Sequence, residues 1–145
     1  MSLSDIRPYY RNIINALNLD FQEHEDGFAF DNIPASLLDR SYHIQLGTGL
    51  GDPLNQTDQR IEMDVTLRLF FKGFRNVSDA LDSTIGVAET VIANCLKLDN
   101  RGDRTKGVVN VQLGTLSVLP YADTNDNNII YEVVFSTVTI FCTDI

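Results

Sequence analysis

Residues 61–69 alternate apolar and polar without a break. A strand with that pattern turns Ile61, Met63, Val65, Leu67 and Leu69 to a core and shows water the rest. Residues 42–46 alternate in the same way and predict a second strand. Between them, residues 47–56 (Gly-Thr-Gly-Leu-Gly-Asp-Pro-Leu-Asn-Gln) carry three glycines and a proline. This stretch reads as a long connection rather than a regular element. Two helical periods flank these strands. Near the start, Ile6, Tyr10, Ile13 and Leu17 recur at helical spacing within residues 4–18. Ser4 or Asp5 can cap that helix, and Pro8 is tolerated in its first turn. Later, residues 77–98 place Leu81, Ile85, Ala88, Ile92 and Cys95 on one face, flanked by Val91 and Leu96. Asn76 or Ser78 caps this second helix, and the Asp99-Asn100-Arg101-Gly102 run ends it.

Two further strands close the chain. In residues 108–119, Val109, Val111 and Leu113 share one parity, whereas Leu116 and Val118 share the other. Gly114 stands at the change, which predicts a β-bulge. Residues 120–128 read as a polar turn. Residues 129–142 are β-branched and aromatic, apolar on both parities in places, as in a central strand covered on two sides or in a strand buried against a neighbouring subunit. Upstream, Asp26-Gly27 lies between Phe21 and Phe28 and predicts a short acidic hairpin within residues 20–34. The fold class is therefore α+β, in the order α-β-β-β-α-β-β. It has a mostly antiparallel sheet, with an N-terminal helix and one long helix packed on it. Residues 1–145 form a single domain.

Composition narrows the function. The 145 residues are 43% apolar, as in a globular protein, and carry a net charge of −9. So acidic a surface argues against gripping nucleic acid by its phosphates, which needs Lys and Arg. No run of about 18 apolar residues is present to span a membrane, and the first residues lack the basic and apolar regions of a secretory signal. The two cysteines fall on different elements and read as free buried thiols of a cytoplasmic product.

Chemistry is sparse. Gly47-x-Gly49-x-Gly51 follows a strand, but Pro53 comes next and no helix opens there to receive a phosphate. The two histidines, His24 and His43, lie far apart and assemble no metal site with the cysteines. His43 is the one base placed within a strand, and no nucleophile motif accompanies it. No catalytic residue, cofactor or metal is expected. The charges segregate, however. Asp20, Glu23, Glu25 and Asp26 form an acidic patch. Arg68, Lys72, Arg75, Arg101, Arg104 and Lys106 form basic ones. Together with loop residues Gly49, Gly51 and Asp52 they are the candidate interface, acidic side of one subunit to basic side of the next.

The order of elements (residues 4–17, 42–46, 61–71, 78–98, 108–119 and 129–142) and the Gly/Pro-rich connection resemble the tail terminator proteins of long-tailed bacteriophages, also called tail completion or neck proteins. The resemblance covers nearly the whole chain and rests on size, order and loop placement. It implies a non-enzymatic virion protein, made in the host cytoplasm, that forms a hexameric ring on the end of the tail tube. Such a ring stops tube growth and offers a surface to the head connector or head-closure protein. DNA would pass through it unbound, repelled by an acidic lumen. Two other readings remain. One is another ring-forming component such as a head-closure, connector or tube protein. The other is a small ligand-binding or enzymatic domain with a pocket converging on His43.

Overall fold

A computed structural model describes residues 3–24, 39–53, 59–74, 78–97, 108–123 and 128–143. A 3-10 turn, Leu3–Asp5, leads into α1, Ile6–Ala16. Strands β1 (Gln22–Glu23), β2 (Ser41–Pro53) and β3 (Gln59–Phe74) follow, then α2 (Ser78–Leu96), β4 (Val108–Asp123) and β5 (Asn128–Thr143). The strands form one sheet in the order β1-β2-β3-β5-β4. Every neighbouring pair is antiparallel except β1 with β2. The α+β class with a mostly antiparallel sheet is therefore as expected. The order differs in detail: a 3-10 turn comes first, and the first strand is only two residues long. That strand pairs parallel with Ser41 and Tyr42. The return arm of the expected acidic hairpin lies outside the described residues.

The alternation in β3 sets the core. Ile61, Met63, Val65, Leu67 and Leu69 are all buried. Across the ladder they meet Phe141, Thr139, Thr137, Phe135 and Val133 of β5. Both helices lie on this face. Helix α1 buries Ile6, Tyr9, Tyr10, Ile13 and Ile14, a stripe with helical spacing. Its Tyr10 hydroxyl bonds the Thr137 hydroxyl at 2.8 Å and the Thr139 hydroxyl at 2.5 Å. The two buried threonines are thereby satisfied inside an apolar layer. Of the two expected caps, Asp5 stands at the N-cap of α1. Asp5 has helical dihedrals (φ −90, ψ −11) and no side-chain cap hydrogen bond, because the preceding 3-10 turn already continues the coil.

Helix α2 buries Thr84, Ala88, Val91, Ile92 and Cys95. The face is slightly rotated from the expected one. Val91 is fully buried, while Ile85 is only half-buried; the side chain of Leu81 lies outside the described set. The other face of the sheet is covered unevenly. Phe70 and Ile130 are fully buried there, whereas Val134 and Val138 are half-buried.

Parts of two expected connections are strand instead, and residues 54–56 and 124–127 of them lie outside the described residues. Gly47 to Pro53 continues β2 and pairs with β3 down to Gln59. The register shift between Leu46 and Gly49 absorbs Gly47 and Thr48 as a bulge. Gly49 is fitted to this approach: a Cβ there would come 2.8 Å from the Met63 terminal methyl. Likewise Pro120 to Asp123 continues β4 and pairs with β5. Pro120 stands on an edge strand beside a register shift, the two settings that accommodate a missing N–H. The bulge expected at Gly114 is present between Leu113 and Leu116. Ser136 fills it, accepting a 2.8 Å bond from the Thr115 N–H.

Candidate functional site

Of the expected charge patches, the described residues show Asp20, Glu23, Arg68 and Lys72. Glu23 on β1 is held within the chain by two arginines of α1. Arg7 Nη2 reaches its Oε1 at 3.2 Å, and Arg11 also donates to it through Nε and Nη2. The reason is helical geometry: Arg7 and Arg11 lie one turn apart on the side of α1 that faces β1. Arg68 is likewise engaged. Its Nε lies 2.8 Å from Glu132 on β5, and its guanidinium sits 5.3 Å from the Phe70 ring centre. The Phe70–Glu132 register brings that carboxylate within reach. Both side chains therefore already have a partner within the chain.

Asp20 is exposed in a left-handed conformation (φ 61), and Lys72 is exposed on β3. Gly49, Gly51 and Asp52 lie in a strand rather than a loop, with Asp52 opposite Arg60. Glu25, Asp26, Arg75, Arg101, Arg104 and Lys106 lie outside the described residues.

His43 is buried on β2, opposite Arg68 in the ladder, and its Nδ1 bonds the His24 carbonyl at 2.6 Å. That contact ties the segment after β1 to β2. Among the described residues no three His, Cys, Asp or Glu side chains converge as metal ligands. No described helix is long and apolar enough to cross a membrane. Burial pushes the Cys95 thiol up to about 12, so it is a poor nucleophile at neutral pH. Burial also raises the Tyr10 hydroxyl to about 12, against the lowering effect of its bonds to Thr137 and Thr139. Tyr42 rises to about 12 as well, by burial first and by the Glu23 charge second.

The feature that stands out is the outer edge of β4. Residues 112–120 are all exposed. They include Leu113, Leu116 (51% exposed), Val118 and Leu119 (58% exposed). Leu113, Leu116 and Val118 point to the same face as the core, since they pair with Thr137, Phe135 and Val133. The start of β4 is buried in the core at Val108 and Val111, whereas the row from Leu113 to Val118 is left uncovered. No Asp, Glu, Lys or Arg occurs from Gly107 to Ala122. Edge strands normally carry charge to prevent pairing with other chains, and this one carries none along that length. Sequence reading placed the apolar residues on β4 but not β4 at the edge. The charge-free run marks the edge only once the strand order is known.

Comparison with protein-family models gives no match, and comparison with curated proteins gives none either.

Proposed function

We propose that the chain is a structural ring subunit of a bacteriophage tail, a tail terminator. Copies of it would cap the end of the tail tube, stop its growth and provide the surface that joins the head. DNA would pass through the ring without being held, which the net charge of −9 favours. One observation carries the reading: the long, charge-free, partly apolar open edge of β4. A fold that presents such an edge is completed by other chains. The order of elements adds the resemblance to tail terminators.

A second reading, a tail-tube protein, is favoured by the length of the strands. β3, β4 and β5 have 16 residues each, and β2 continues in the sheet past Gly47. A longer sheet suits subunits that stack as well as close.

Interrupting the reading frame in a phage that encodes it separates the two. A terminator's loss gives tails of excess length that do not join heads, and a tube protein's loss gives no tails. Normal tails joined to filled heads would overturn both.

A further inference from the structure

We propose that two copies of this chain join through the outer edge of β4 on one and the open edge of β2 on the next. The joint is antiparallel, with Gln45 beside Ser117. Strand direction allows it. β2 and β5 run one way, and β3 and β4 run the other. A copy placed beside β4 in the same orientation therefore presents β2 antiparallel to it, the stronger ladder pattern. β1 covers β2 at Ser41 and Tyr42, His24 bonds His43, and among the described residues no strand flanks β2 on that side from Ile44 onward. That stretch is also free of charge from Ile44 to Gly51.

The two edges match along their length. With Gln45 beside Ser117, the end of β1 at His24 meets Pro120, which has no N–H to continue a ladder. The Gly47-Thr48 bulge of β2 falls beside the Gly114-Thr115 bulge of β4, so both strands bend together. Faces also agree: Ile44 meets Val118 and Leu46 meets Leu116 on the helix-bearing side. Helix α1 of the second copy packs on its own β2 and is tied to β1 by Arg7 and Arg11. It therefore approaches the Leu116–Val118 row that α2 leaves bare. Pairing β4 with β4 of a second copy would instead set two bare rows side by side with no helix over them. The edges used lie on opposite sides of the sheet, so the contact is heterologous and repeats from copy to copy, closing into a ring where the rotation permits.

This joint names the partner surface of the ring reading but stands on geometry that purified protein can test. In a Cys142→Ser background, Gln45→Cys with Ser117→Cys should give, on mild oxidation of concentrated protein, a ladder of linked multiples of the chain. Each single cysteine should give none, and adding Leu116→Lys should abolish the ladder. Linked dimers from Ser117→Cys alone would overturn the joint in favour of β4–β4 pairing. No ladder in concentrated protein or in assembled particles would overturn it too. A ladder from a chain whose loss leaves tails normal would remove the phage function and keep the joint. Tails that depend on the chain but contain no such link would do the reverse.

Discussion

β3 and β4 are both 16-residue strands of one sheet, and their polar positions differ sharply. β3 is central. Its core parity is buried, and its other parity carries Arg60, Glu62, Asp64, Arg68 and Lys72. β4 is at the edge and has the greater exposure, yet it has no charge before Asp123. Exposure alone would have predicted the opposite distribution. The strand that already has neighbours on both sides bears the charges that keep its open face solvated. The strand with one neighbour bears none of the charges that would keep a second neighbour away. That difference is the ground on which the proposed joint is placed at β4.

The comparison breaks first at the core. Leu67→Ala removes a fully buried side chain between Phe135 and Ile44. It should cost about 2–5 kcal/mol in urea unfolding. Val91→Ala on α2 should also be costly, and more so than Ile85→Ala, since Ile85 is only half-buried. A small effect at Leu67 would place the core elsewhere.

That much was legible from the chain, and the reasons show where reading stops. Alternation in residues 61–69 fixed a face, and the parity change at Gly114 fixed a bulge, because both are local consequences of strand geometry. Gly47 to Pro53 was misread as a loop because glycine and proline are poor strand formers in isolation. Pairing with β3 overrides that preference, and the bulge at Gly47-Thr48 accommodates it. The Glu23 and Arg68 ion pairs were hidden for a different reason. Their partners are Arg7, Arg11 and Glu132, and only the folded sheet brings Arg68 to Glu132 across 64 positions. Whether a strand is central or at an edge is likewise a property of the whole sheet. Charge content carries that information only once the strand order is known.

The next effect sharpens the core side through pH. Tyr10 and Cys95 are held protonated by burial, each raised to about 12 from 10.0 and 9.0. Unfolding releases those groups to titrate normally, so above their ordinary values the unfolded chain binds fewer protons than the folded one. Their contribution is fully present below about pH 9 and is lost as pH rises towards 12, by up to about 1.4 kcal/mol per pH unit for each group. Unfolding midpoints measured from pH 8 to 11 should fall along that course. Tyr10→Phe should flatten the fall while lowering stability at pH 8 by about 1 kcal/mol, through the lost bonds to Thr137 and Thr139. An unchanged alkaline slope would mean that Tyr10 reaches water in the folded chain.

The smallest expected effect tests the edge itself. Leu119 is 58% exposed and pairs with Glu132 on the face away from the helices. Leu119→Lys in the dilute chain removes little buried surface and places an amine beside a carboxylate that Arg68 already engages. Its effect on unfolding should stay within about 0.5 kcal/mol, as for ordinary surface changes. Leu116→Ala should cost more, because Leu116 leans on Phe135 from the core side, but well below the Leu67 figure. A cost at Leu116 as large as at Leu67 would show that β4 already belongs to a closed core and leaves nothing for a neighbour to cover. A small cost, joined to loss of association at concentrations where the parent chain assembles, would locate the worth of these leucines between subunits rather than within one.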